Sequence, residues 1–128
     1  MKKLFILLFI FISFVYSQEL RIYTSYDDAI KTAQKEKKKV LMFIHADYCP
    51  WCDKMKEETF KDEDTIAFIN ERFVFLSVDR EDPSYPDRFF PKYIPTTHLI
   101  EPNKQKNIYS MPGFKPTEHL INELWDFK

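Results

Sequence analysis

Val40-Leu41-Met42-Phe43-Ile44-His45-Ala46-Asp47-Tyr48-Cys49-Pro50-Trp51-Cys52 is the stretch on which the reading of this chain turns. Its first five residues form an unbroken apolar run, closed by the polar His45 and Asp47. A run that short and that uniform predicts a strand buried on both faces rather than a helix. Residues 52–60 then read as helical, and Pro50 suits a first helical position because it lacks the N–H that would be left unpaired there. Cys49 therefore falls where a buried strand gives way to a helix N-terminus. Free backbone N–H groups and the helix dipole favour negative charge at such a point, so a thiolate is stabilised. The thiolate is the nucleophile of disulfide exchange. Cys49, at the cap and more exposed, is assigned the attack. Cys52, one turn in and more buried, is close enough to form a bridge and to resolve a mixed disulfide.

On the N-terminal side, Gln18 to Tyr23 reads as a short extended lead-in, and Ser25 caps a helix over residues 26–37. Asp27 and Asp28 suit the first turn of that helix, and Lys37, Lys38 and Lys39 suit its end as a solvated terminus. On the C-terminal side, Asp62 or Asp64 caps a further helix carrying Ile66, Ala67 and Ile69, and Phe73 to Val78 is a second buried strand. Residues 80–95 hold four prolines and four aromatics (Tyr85, Phe89, Phe90, Tyr93) and read as loop, with a helical turn or two around Asp87–Tyr93. Thr96 to Glu101 is a third strand, Pro102-Asn103-Lys104 a turn, and Asn107 to Met111 a fourth strand in an antiparallel hairpin. Thr117 opens a last helix with the face Leu120, Ile121, Leu124 and Trp125. The order is that of an α/β layer domain.

Residues 1–17 read differently. Met1-Lys2-Lys3 is a cationic start, Leu4 to Tyr16 is apolar apart from Ser13, and Val15-Tyr16-Ser17 fits a cleavage site. This predicts a signal peptide over 1–17, with an uncleaved anchor as the alternative, and a single domain over 18–128. Once cleaved, the chain has no expected membrane insertion. The whole chain has 19 Lys+Arg against 20 Asp+Glu; without Lys2 and Lys3 the remainder carries 17 against 20, or −3. That balance offers no basic excess for nucleic acid. Cys49 and Cys52 are the only cysteines, too few for a disulfide-stapled miniprotein. A lone Cys-x-x-Cys in an exported chain points to redox chemistry. Half of a zinc site, a Cu(I) pair and a purely structural bridge are the alternatives. No metal is expected, since His45, His98 and His119 show no paired ligand spacing. The single glycine, Gly113, leaves no Gly-rich fingerprint for a nicotinamide or flavin, so no organic cofactor is expected.

The segment ending Ile44-His45-Ala46-Asp47-Tyr48-Cys49-Pro50-Trp51-Cys52, the acidic helix Lys54-Met55-Lys56-Glu57-Glu58-Thr59-Phe60, Ile94-Pro95-Thr96 and Met111-Pro112-Gly113-Phe114 occur in the order of thioredoxin-like proteins. The chain resembles that superfamily over residues 25–127, and more narrowly its exported bacterial thiol–disulfide oxidoreductases. The resemblance implies a thioredoxin fold, a central mixed four- to five-stranded sheet flanked by helices. It implies a cis Pro95 packed against the disulfide, with Ile94, Pro95 and Trp51 positioning the substrate. Two departures stand out. Phe43 occupies the place where thioredoxin proper has a buried aspartate, and the motif core is Pro50-Trp51 rather than Gly-Pro. His45 and Pro50 are candidate modulators of the thiols, although a solvent-facing His45 at a strand end is the simpler expectation.

These readings converge on an exported, periplasmic enzyme that exchanges disulfides with partner proteins through Cys49 and Cys52. Electrons come from or go to a redox partner protein. The resemblance favours a reductase, including one that keeps thiols reduced for cytochrome c maturation. An oxidase or isomerase, or a metal- or thiol-binding module, is the alternative. The four aromatics of 80–95 read either as a lip beside the cysteines or as a local minicore.

Overall fold

The computed structural model of the protein describes residues 17–127. The leader expected over residues 1–17 lies, except for Ser17, outside the described residues. Five strands and four α-helices follow in the order β1 (Ile22–Tyr23), α1 (Tyr26–Glu36), β2 (Lys39–His45), α2 (Pro50–Glu57), α3 (Glu63–Arg72), β3 (Phe73–Asp79), β4 (Thr96–Glu101), β5 (Lys106–Pro112) and α4 (Thr117–Leu124). The strands form one mixed sheet in the order β1-β3-β2-β4-β5. The pairs β1–β3 and β2–β3 are parallel, while β2–β4 and β4–β5 are antiparallel.

The central strand β2 is buried on both sides, and alternation along it divides the core. Val40, Met42 and Ile44 pack with Ala29, Ile30 and Ala33 of α1. Leu41 and Phe43 face the other way, against Met55 of α2, Ile69 of α3 and Leu120 and Leu124 of α4. Side chains of successive strand residues point to opposite faces, so one continuous apolar run feeds two helical layers. Ser25 Oγ accepts the Asp28 N–H at 3.3 Å to start α1, and Asp62 Oδ2 accepts the Thr65 N–H at 3.0 Å to start α3. Each cap satisfies a donor that the helix leaves unpaired.

Several boundaries differ from the sequence expectation for local reasons. Helix α1 stops at Glu36 because Lys37 turns left-handed, with φ 56°. The helix expected over 52–60 starts earlier, at Pro50, and ends at Glu57; Thr59–Lys61 is a separate 3-10 turn. The 80–95 segment keeps only one 3-10 turn, Asp87–Phe89. Trp125, expected on the buried face of the last helix, lies beyond it and is exposed, stacked on Phe68 with the Arg72 guanidinium 4.6 Å from its ring. The lead-in contains an edge strand, held by buried Asn70: its amide donates to Glu19 O at 2.8 Å and accepts the Arg21 N–H at 3.1 Å.

Candidate active site

Cys49 is the N-cap of α2, and Pro50 is its first residue. The Cys49 sulfur accepts the backbone N–H of Cys52 at 3.2 Å, and the Cys49 carbonyl accepts the Asp53 N–H at 3.1 Å. The sulfur thus does what a Ser or Asp side chain does at an ordinary cap. Cys49 and Cys52 are joined by a disulfide, their Cα atoms 5.2 Å apart. Cys49 is half-buried and Cys52 fully buried, so a partner can reach only the first sulfur readily. Immediately before it, Tyr48 adopts φ 56° with its side chain fully exposed. A bulky residue there holds a backbone strain of about 1–3 kcal/mol, the kind that collects at functional sites. Nothing in the sequence signals this, because no Gly or Asn marks the turn.

The β2–β4 register sets Ile44 beside Thr96, which brings the start of β4 to the end of β2 from which Cys49 emerges. The Ile94–Pro95 peptide bond is cis. The Pro95 carbonyl accepts the Gly113 N–H at 2.7 Å, tying the two turns together. Gly113 has φ 85°; a Cβ there would meet nothing within 4 Å, so the backbone angle and not space calls for glycine. Trp51, Ile94, Pro95, Gly113 and Phe114 line an open groove of about 370 Å³. Cys49, Ile94 and Phe114 all pack against the apolar cluster that contains Cys52. Among the described residues, neither the N–H nor the carbonyl of Ile94 has a hydrogen-bond partner. Phe114, which sequence reading placed only in a turn, is a wall of this groove: its ring centroid lies 5.8 Å from that of Trp51.

Phe43 is fully buried, edge-on to Phe60 at 4.9 Å and stacked near Phe75 at 6.5 Å. An aromatic ring there can neither take nor give a proton to Cys52. His45, two residues on along the same face, lies half-buried rather than out in solvent, its ring 5.7 Å from that of Phe43. Burial lowers its pKa, and Lys56 pushes the same way, against Asp79, Asp47 and Asp53. Among the described residues its ring makes no hydrogen bond, to the cysteines or otherwise. Trp51, Ile94 and Pro95 therefore share one groove, and His45 stands outside it.

The loop that delivers Ile94 splits its aromatics. Tyr85 and Phe89 are buried beside Tyr26 in the core on the α1 side, while Phe90 and Tyr93 are half exposed. Tyr85 Oη donates to Arg80 O at 2.6 Å, and Thr96 Oγ1 to Tyr93 O at 2.6 Å. No group of three or more metal-ligating side chains gathers among the described residues, and no helix among them is long and apolar enough to cross a membrane.

Residues 11–101 match the family described as "Thioredox_DsbH: Protein of unknown function, DUF255". The chain belongs to this family. Its fold is that of the thioredoxin from Thermus thermophilus, with a TM-score of 0.73 and 25% identity over 84% of this chain and 85% of that one. It is also that of a structure named DsbH Oxidoreductase, with a TM-score of 0.67 and 17% identity over 84% of this chain and 83% of that one. Among curated proteins, spermatogenesis-associated protein 20 of Mus musculus is 29% identical over 89 residues, 70% of this chain and 11% of that protein. The chain spans only about a tenth of the length of such relatives. A thioredoxin-like fold with a Cys-x-x-Cys disulfide at a helix N-terminus supports thiol–disulfide oxidoreductase activity.

Proposed function

We propose that the protein is an exported thiol–disulfide reductase acting on protein disulfides. The observation that carries disulfide exchange is the Cys49 sulfur seated as a helix cap on the Cys52 N–H, where a thiolate is favoured. The reductase direction is supported by the resemblance to exported thiol–disulfide oxidoreductases. In the reduced enzyme, the Cys49 thiolate attacks one sulfur of a partner disulfide and expels the other as a thiolate. Cys52 then loses its proton and attacks Cys49, freeing the second partner thiol. The dithiol gives two electrons and ends as the Cys49–Cys52 bridge. Ile94 lends its unpaired backbone groups to an extended partner segment, Pro95 and Trp51 shape the groove beneath it, and Pro50 modulates the thiols by opening the helix that Cys49 caps.

Export rests on the residue 1–17 pattern, with cleavage leaving a domain over 18–128 in a bacterial periplasm. A redox partner protein re-reduces the bridge, and disulfides of chains whose thiols must be free for cytochrome c maturation are a fitting substrate class.

Titrating residues 18–128 against glutathione or thioredoxin tests the reading. A reductase gives a potential near about −270 mV, whereas one near about −120 mV makes the protein an oxidase. Cys49→Ser is expected to abolish exchange, and Cys52→Ser to accumulate a mixed disulfide on Cys49. Tight zinc or copper uptake without bridge formation would instead make it a metal-binding module.

A further inference from the structure

Past the cysteines, α2 shows two differently charged faces. On one, Asp53 and Lys56 stand a turn apart near His45, whose proton affinity also feels Asp47 and Asp79. On the other, Trp51 and Lys54 stand a turn apart over the groove. The Lys54 Nζ lies 5.4 Å from the centre of the Trp51 ring and 4.8 Å from that of Phe114. Those two rings are walls of the groove in which Ile94 and Pro95 lie. The acids around the site thus gather on the His45 side, and a cation is parked on the groove side.

That cation has no carboxylate partner among the described residues. The neighbouring Lys115 differs, being paired with Glu123 at 3.0 Å. A second ammonium, that of Lys92, sits 5.5 Å from the centre of the Tyr93 ring, one residue before Ile94. Contact with an aromatic face holds an ammonium by its inner side and leaves its outer N–H donors for an anion.

Resting on the exchange reading above, we propose that Lys54, held on Trp51 and Phe114, selects partner segments that carry acidic side chains close to the attacked cysteine. The preferred partner is an extended polypeptide with an apolar residue on the Trp51–Phe114 wall and a carboxylate over Lys54. A charge at the rim of a binding surface acts mainly on the encounter rate, so the preference is sensitive to salt. Its size is that of an exposed ion pair, about fivefold in rate.

Three synthetic peptides test this, each with one cysteine held as a 2-thiopyridyl disulfide and identical except for Glu, Gln or Lys at the positions two and three residues either side of it. The reduced protein's Cys49 thiolate attacks the peptide sulfur and releases thiopyridone, which is read by absorbance. Cys52 then closes the bridge and frees the peptide thiol. The Glu peptide is expected to react about fivefold faster than the Gln peptide at low ionic strength, with the ratio collapsing toward one in 0.5 M salt. Lys54→Gln removes the ratio, and Lys54→Glu reverses it in favour of the Lys peptide. The ratio within one variant is the readout, because any change in Cys49 acidity scales all three rates together. Equal rates for Glu and Gln peptides, or a ratio that survives in Lys54→Gln, would overturn the proposal. If none of the peptides reacts, the exchange reading itself fails, and with it this extension.

Discussion

His98 shows how a single side chain can hold the groove's supporting loop. It lies on β4 facing the α1 side, buried, with Nε2 2.9 Å from Phe89 O and Nδ1 2.8 Å from Ser110 Oγ. A carbonyl only accepts, so Nε2 carries the proton and donates to Phe89; Nδ1 then accepts from the Ser110 hydroxyl or the Asn107 amide 3.2 Å away. Burial lowers the His98 pKa, opposed in part by the Phe89 hydrogen bond. Above pH ~6.5 the ring is neutral in both folded and unfolded chains, and the contribution is flat. Between that value and the lower folded pKa the unfolded chain binds more protons, so stability falls as pH falls. The urea midpoint is therefore expected to drop from pH 7 to pH 5 in the native protein and to drop less in His98→Gln. A His98→Leu variant, which offers no donor, should lose about 1–3 kcal/mol at pH 7 through the Phe89 carbonyl left buried without a partner. A proton titration by NMR placing His98 at or above pH ~6.5 would contradict this.

At the scale of elements, the 80–95 segment is neither wholly lip nor wholly minicore. Phe89 is buried at 1% exposure with the Arg88 guanidinium over its ring, whereas Phe90 is 50% exposed under Arg80. Phe89→Ala should cost about 3–5 kcal/mol, and Phe90→Ala no more than about 1 kcal/mol. Neither ring lines the groove, so the rate of exchange per folded molecule should stay near the native value in both. Urea melts and thiol-exchange rates on the two variants check this; equal destabilisation with unchanged rates would make both rings minicore, whereas a slowed Phe90→Ala would restore the lip. Periodicity could not divide these neighbours, because a proline-broken loop has no repeat that assigns a face. The same limit hid β1: two residues are too few to alternate, and it is Asn70, 47 positions beyond Tyr23, that fixes the lead-in. By contrast β2 and β3 were legible because each is a dense apolar run, β4 because the Pro102-Asn103-Lys104 turn bounds it, and the caps at Ser25 and Asp62 because their side-chain chemistry is local.

Across the whole molecule, a sheet with two helical layers brings three separated stretches to one end. The buried run ending at His45 aims the chain into α2, the β2–β4 register delivers Pro95, and the turn at Gly113 brings Phe114 against Trp51. The cysteines could be read from sequence because their chemistry is carried by residue type, and the Ile94-Pro95 element through the family resemblance. Tyr48's left-handed backbone and the Lys54–Trp51–Phe114 contact could not, because both arise only when the assembled fold dictates an angle or a meeting. Phe43 removes any buried carboxylate from beneath the dithiol, so the reactivity of Cys49 rests on the helix N-terminus and its backbone N–H groups. Alkylation of Cys49 in the reduced domain, followed from pH 4 to 10, measures that reactivity directly. Half-maximal rate at about pH 7.5 or lower is expected, whereas a midpoint near the free-thiol value of about 8.5 would contradict the account.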